Sequence, residues 1–406
     1  MKLGKAAQTE LSILREIQAA PYTSRVELAR QSGLSTSAIT GIVGSLIAKG
    51  VVVEGAGMPG VGIGRKRIGL TLHPSLGYVV GVDLGTFNLR ITVSDLNGIS
   101  ISKRELPTQI WRGRDEVLRT TFALIHETVA EAGIDKSKLL GIGIAFSGVI
   151  NVQEGMVISY PRPGQVESWR RFPLREICEQ EFGIPCLLED SVRAIATEER
   201  TVGGGRNYSD FVYVDVGFGI GSAIFIGGKI YRGCNGSAGE FGHMTVAENG
   251  PLCCCGNHGC LEAMASGATL IDIVKMAITK GVTSRVLELA GSMDGITLEV
   301  IAEAARDNDS LACRALSEVA QHIGTACADV VNLLNPEAIL FGGALFRAAP
   351  ELVLDHIKRM VRHRAMEKSA NDVQLQIAQT KGDAGAHGIA KLVAERVIDR
   401  ALTNRM

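Results

Sequence analysis

Over the first fifty residues the apolar positions recur at helical spacing. Leu11, Ile13, Leu14 and Ile17 make one apolar helical face. Pro21-Tyr22-Thr23 interrupts it. Ser24 is placed to cap a second helix through Val26, Leu28 and Ala29, and Gly33 permits a left-handed turn. Ser35 then opens a third helix with Ile39, Ile42, Val43, Leu46 and Ile47 on its buried side, and Gly50 ends it. Helix, tight glycine turn and helix make a helix-turn-helix, whose second helix enters the major groove of DNA. Ser35, Thr36, Ser37 and Thr40 stand at its start, where hydroxyls contact phosphates and base edges. Val51 to Glu54 and Ile68 to Leu70 then flank a glycine-rich loop carrying Arg65, Lys66 and Arg67. Two short strands around a basic loop predict a wing that offers positive charge to phosphates or the minor groove. Gly41, Gly44 and the scarcity of arginine on the third helix point to modest base readout, with much of the affinity from backbone contacts.

After His73-Pro74-Ser75, read as a hinge, the pattern changes to buried strands. Tyr78 to Thr86 is read as a buried strand ending in Asp83 and Gly85; Leu89 to Val93 and Ile99 to Leu106 predict two more strands. A helix follows over about 115–132, then a strand over Leu139 to Ala145. The motif recurs: Phe211 to Val216 holds Asp215 before Gly217-Phe218-Gly219, and strands at Ile220 to Ile226 and Lys229 to Tyr231 follow. Helices are expected over 268–280, 298–305, 311–334 and 383–402, with a strand from Ala338 to Phe341. Two hairpins ending in Asp-x-Gly predict a duplicated α/β fold of two lobes around a cleft suited to a phosphate or a sugar. The domain expectation is 1–75 for the winged helix-turn-helix and linker, 76–190 for one lobe completed by a C-terminal helix over 384–406, and 191–383 for the other.

The chain has 406 residues, 46% hydrophobic and 21% charged, as for an ordinary globular protein. No apolar run is long enough to span a bilayer, and the start lacks a secretory leader's apolar core. Charge is uneven: residues 1–70 carry +5 and the rest −6. A basic head on an acidic body suits a separate domain that meets a polyanion.

Nine cysteines change the picture most, because four lie between 253 and 260. His243, Cys253, Cys255 and Cys260 fall within eighteen residues, among glycines, and this ligand set and spacing match one structural zinc ion. Cys254 is the odd thiol and is expected to point away. Reduced thiols with a metal point to a cytoplasmic protein rather than a disulfide framework. Glu240 and Glu262 bracket the loop, and carboxylates held there make good acceptors for a ligand's hydroxyls. Asp190 reads as a helix N-cap ahead of Val192 to Glu199.

Gly239-Glu240-x-Gly242-His243 followed by Cys253-x-Cys255-Gly256-x-x-Gly259-Cys260-Leu261-Glu262 resembles the signature of the ROK family of repressors, open reading frames and sugar kinases. Trp169 to Leu174, leading to Glu189-Asp190-Ser191, is a second match, and the resemblance covers residues 78–395. It implies an actin-like ATPase fold behind a winged helix-turn-helix, as in the family's repressor branch. By that resemblance His243, Cys253, Cys255 and Cys260 are zinc ligands. Asp190, Glu240, His243 and Glu262, with Glu189 beside them, hold a sugar, and Asp190 is the general base of the family's kinases.

The chain departs from the kinase pattern at the phosphate loops. Asp83-Leu84-Gly85-Thr86-Phe87 stands where the kinases have Asp-x-Gly-Gly-Thr, and Gly217-Phe218-Gly219 where they have Gly-Thr-Gly. Glu189 and Val192 replace two asparagines around Asp190. A phosphate cradle needs small residues and donors, so bulk and added negative charge oppose a nucleotide. The expectation is a non-enzymatic, sugar-responsive regulator, most simply a repressor, with Asp190 vestigial as a base. It binds operator DNA as a homodimer or homotetramer and takes a sugar or sugar phosphate as effector. The alternative is a bifunctional ATP-dependent sugar kinase that also binds DNA.

Overall fold

The structure is a computed structural model and describes residues 5–56, 68–160 and 168–404. It divides into two compact units, 1–201 with 381–406, and 202–380.

The first unit opens with α1 (Lys5–Ala19), α2 (Arg25–Ser32) and α3 (Thr36–Ala48), then β1 (Val52–Ala56) and β2 (Ile68–Leu72). The expected caps form. Ser24 Oγ accepts from Glu27 N–H and Ser35 Oγ from Ala38 N–H, while Gly33 ends α2 at φ 69°. β1 and β2 pair antiparallel from Val52–Leu72 to Ala56–Ile68. β2 also exchanges backbone bonds with the α1–α2 turn, where Tyr22 N–H donates to Leu70 O and Leu70 N–H to Thr23 O. The wing is thereby tied to the helices it follows. Arg65, Lys66 and Arg67 lie outside the described residues.

Next come β3 (Tyr78–Leu84), β4 (Asn88–Asp95), β5 (Ser100–Pro107), α4 (Arg114–Glu131), β6 (Leu139–Phe146), β7 (Val149–Asn151), β8 (Met156–Ser159), α5 (Leu174–Phe182), β9 (Cys186–Asp190) and α6 (Ser191–Thr201). The main sheet runs β5-β4-β3-β6-β9, with β3 antiparallel to β4 and parallel to β6. Val80, Val82, Ile91 and Val93 bury one face against Val117, Leu124 and Ile125 of α4.

The second unit repeats this plan. It contains β10 (Phe211–Val216), β11 (Ile220–Ile226), β12 (Lys229–Tyr231), α7 (Leu261–Ala265), α8 (Gly267–Thr279), α9 (Arg285–Ala290), α10 (Leu298–Arg306), α11 (Ser310–Leu334), β13 (Ala338–Gly342), α12 (Ala344–Ala348), α13 (Pro350–Arg364), α14 (Glu367–Asp372) and β14 (Gln374–Ile377). Its sheet order is β12-β11-β10-β13-β14, again an antiparallel triplet followed by two parallel strands. α11 packs one face into this unit's core through Leu316, Val319, Ile323, Val330 and Val331.

α15 (Ala384–Asn404) returns to the first unit. It lies so close to the sheet that a Cβ on Gly81 would strike Ala386 O, and one on Gly143 would strike Ile389. α6 packs on it, and Lys391 Nζ meets Glu198 Oε2 at 2.8 Å. That contact carries the first unit through Thr201, where the sequence suggests a division after 190.

The helix-turn-helix shares its core with this unit. Leu11, Leu14, Ile17, Leu28, Val43 and Leu72 cluster with Val79, Leu96, Val393 and Ile398. Arg15 pairs with Asp399 at 2.7 Å, and Gln18 Nε2 donates to Leu96 O at 3.2 Å. Asn97, buried, accepts from Leu72 N–H at 2.8 Å and donates to Leu72 O at 3.0 Å. His73-Pro74-Ser75, read as a hinge, takes the form of a short capped turn, with His73 Nδ1 accepting from Ser75 N–H. The clamp on Leu72 fixes the chain at its entry to that turn.

Candidate metal centre, sugar-binding residues and DNA-reading helix

The β12–α7 connection carries the cysteine loop. A short 3-10 turn over Phe241–His243 presents His243, and a hairpin-like loop returns to α7 through isolated bridges Thr245–Cys260 and Leu252–His258. Gly259 must be glycine: its φ is 68° and a Cβ there would collide with Ala247 O. This folding brings ligand atoms of His243, Cys253, Cys255 and Cys260 within 4.8 Å of one another. Cys253 Sγ lies 3.6 Å from His243 Nδ1, and Cys255 Sγ 3.7 Å from Cys260 Sγ. A tetrahedron built on metal–sulfur bonds of about 2.3 Å has edges of about 3.8 Å. The four side chains therefore fit a tetrahedral metal ion. Backbone donation from Asn257 holds the Cys255 thiol below its ordinary range, whereas burial pushes Cys260 up to about 12.

His243 turns Nδ1 to the thiols and leaves Nε2 facing Glu240, 4.0 Å from Oε2. Glu262 stands at the start of α7. Its Oε2 accepts from Ile220 N–H at 2.8 Å, just after Gly217-Phe218-Gly219, and a Cβ on Gly219 would strike that oxygen. Cys254 lies outside the group of four and is exposed, as expected of the odd thiol. Its thiol donates to Glu262 Oε1 at 3.5 Å and sits 4.0 Å from Cys253 Sγ, because the turn Cys253–Gly256 folds back on α7. Desolvation, with Glu262 as the next cause, pushes the Cys254 thiol up to about 12. Adjacency to Cys253 was the sequence signal for that placement.

In the first unit, β9 ends in Glu189-Asp190. Asp190 Oδ1 accepts from Arg193 N–H at 3.0 Å and so caps α6. Glu189 is fully buried, and its Oε1 takes Arg193 Nη1 at 3.3 Å and Asp190 N–H at 3.1 Å. Arg193, unflagged in the sequence, sits in the first turn of α6 and reaches back to Glu189 at the end of β9. At the first loop, Asp83 is buried and faced by Arg90 at 3.6 Å. Phe87 is 62% exposed, and in the second unit Phe218 is 43% exposed.

On α3, Ser35, Thr36, Ser37 and Thr40 are all exposed, while Ile39, Val43 and Leu46 are buried beneath them. Thr40 Oγ1 donates to Thr36 O at 2.7 Å, and Ser35 Oγ lies 3.0 Å from Ser37 Oγ. Gly41 and Gly44 share the open side, with nothing within 4 Å of a Cβ at either.

A winged helix in front of a duplicated α/β fold with a His/Cys loop defines a DNA-binding regulator built on a sugar-kinase fold. The chain belongs to the ROK family, whose model matches residues 79–396, and residues 7–53 match a winged helix-turn-helix DNA-binding model. It is 30% identical over 385 residues to a xylose repressor of Caldicellulosiruptor bescii, covering 95% of this chain and 94% of that one. Among solved structures it is similar to a ROK family transcriptional regulator described as a homolog of the E. coli MLC protein, with a TM-score of 0.79, 25% identity and 98% of both chains covered. A ROK family glucokinase from Streptomyces griseus, solved with glucose and AMPPNP, gives a TM-score of 0.66 and 32% identity. It covers 78% of this chain and 99% of its own. Among the described residues no helix is long and apolar enough to cross a membrane.

Proposed function

We propose that this protein is a sugar-responsive repressor of carbohydrate genes, acting in the cytoplasm, with a zinc-braced sugar site and a nucleotide site that no longer works. The observation that carries this reading is the winged helix-turn-helix joined to a ROK domain over the full length of the repressor relatives. Asp190, Glu240, His243 and Glu262 hold the sugar's hydroxyls. Glu189 contributes through its hold on Asp190 N–H. Zinc, once bound by His243, Cys253, Cys255 and Cys260, supplies rigidity, fixing His243 so that Nε2 meets the ligand and presenting Glu262 at the start of α7. The loss of nucleotide binding is supported by Phe87 and Phe218 in the two phosphate loops and by the Arg90 guanidinium facing Asp83.

Ser35, Thr36, Ser37 and Thr40 of α3 contact DNA, with Arg65, Lys66 and Arg67 of the wing on phosphates or in the minor groove. The chain acts as a homodimer or homotetramer on paired half-sites. The sugar favours one conformation over another and thereby changes operator affinity. The test is thermal shift with sugars and sugar phosphates, xylose and N-acetylglucosamine included, followed by operator binding with any hit. A raised midpoint together with altered DNA affinity is expected. No response to any sugar overturns the reading.

The glucokinase likeness and the retained Asp190 favour one second reading, a kinase that also binds DNA. ATP-dependent turnover on hexoses that disappears in Asp190→Asn establishes it.

A further inference from the structure

The loop holds a second group of metal-type ligands. Cys253, Cys254 and Glu262 bring two thiols and a carboxylate oxygen within 4.8 Å of one another. The edges are 4.0 Å from Cys253 Sγ to Cys254 Sγ and 3.5 Å from Cys254 Sγ to Glu262 Oε1. Both lie near the tetrahedral edge for sulfur and oxygen donors on a soft divalent ion, about 3.5–4 Å from its bond lengths. Glu262 Oε2 is already taken by Ile220 N–H, so Oε1 is the oxygen left to bind, and it is the one that Cys254 faces.

We infer that Cys253, Cys254 and Glu262 form a second site for a soft divalent cation, zinc in excess or cadmium, beside the His/Cys centre. Cys253 belongs to both groups, and its thiolate bridges the two ions. As the second ion binds, the Cys254 thiol gives its proton to solvent and its hydrogen bond to Glu262 is replaced by two metal bonds. Three protein ligands leave a fourth position for water, the arrangement of an open rather than a closed site. Thiolate pairs select soft ions over magnesium or calcium. Occupation also takes Glu262 Oε1 from its other partners. If the sugar reading above holds, cations at this site therefore weaken the sugar; the site itself stands without that reading.

The test uses the full chain carrying one zinc, with Cys234→Ser and Cys313→Ser removing two other exposed thiols. Cadmium is titrated in, with thiolate-to-cadmium absorbance and native mass spectrometry as readouts. Two metal ions per chain are expected. Cys254→Ser should lose the second ion and keep the first, and Glu262→Gln should bind the second more weakly. Cys254 is exposed, so its replacement leaves the fold intact, and retention of the first ion checks this. A single ion in the parent, or an undiminished second ion in Cys254→Ser, overturns the inference. Sugar affinity measured with and without cadmium then tests the consequence separately, so each idea can fail alone.

Discussion

The two hairpin loops that open the two sheets occupy equivalent places in a repeated topology, yet their surroundings differ. In the first unit, Asp83 on β3 faces the Arg90 guanidinium, and Arg90 in turn reaches Glu105 at 2.9 Å. Its loop is closed by Thr108, whose N–H donates to Phe87 O and whose hydroxyl donates to Gly85 O. In the second unit, among the described residues, Asp215 on β10 forms no ion pair. Tyr213 OH donates to it at 3.3 Å, and desolvation, eased by the more distant Arg347, raises its pKa. The loop beyond it is held from the side by Glu262 through Ile220 N–H, and Gly267 N–H donates to Gly217 O. The first loop is therefore braced by its own sheet. The second is braced by the segment that carries the proposed metal ligands and a proposed sugar contact.

Four perturbations sharpen this contrast. The largest effect is expected from Cys255→Ser. Structural metal sites contribute on the order of 10 kcal/mol of binding free energy to folding. The variant should lose its metal by mass spectrometry, and the sugar response should vanish with it. A metal-free variant with full response breaks the link between loop and ligand.

Gly219→Ala is next. The new Cβ expels the Glu262 carboxylate from Ile220 N–H, so effector affinity should fall about tenfold, or about 1.4 kcal/mol. Gly85→Ala, its counterpart, meets Asn88 O at 2.9 Å and should cost stability while leaving sugar affinity intact. Equal losses of affinity in both, by calorimetry, would erase the distinction between the loops.

Arg90→Ala leaves the buried Asp83 without its guanidinium. About 2 kcal/mol of stability is expected to go, as for a buried group that loses a partner, read by urea unfolding. The smallest effect is at Asp215. A carboxyl whose folded pKa is raised favours the protonated form, so its contribution to stability is fully present below the ordinary value of 3.8. It is lost as pH rises through the raised folded value. Asp215→Asn should therefore gain stability over the parent at neutral pH and match it in acid. The opposite slope would show that Asp215 is held as an anion.

Local signals were the readable ones. Ser24, Gly33 and Ser35 act within three or four residues, so their chemistry alone placed the turns of the DNA-reading segment. The long amphipathic or apolar runs gave β3, β10 and α11 within a residue or so. The four His and Cys side chains that come together could be picked out because their spacing is short. What the sequence hid depends on the fold bringing distant groups together. Arg90 meets Asp83 across a strand pair, Ile220 N–H reaches Glu262 forty-two residues on, and Asn97 clamps Leu72 from the β4–β5 turn. The short elements α9, α12, α14 and β14 carry too few residues for a period to show.

The Asn97 clamp has a consequence for how an operator is recognised. With Leu72 bonded at both its N–H and its carbonyl, and with Arg15 and Gln18 fastened to the same body, the reading helix has no slack of its own. Operators whose half-sites are moved by a few base pairs should be rejected outright rather than tolerated, and Asn97→Ala should restore that tolerance before it harms grip on the correctly spaced site.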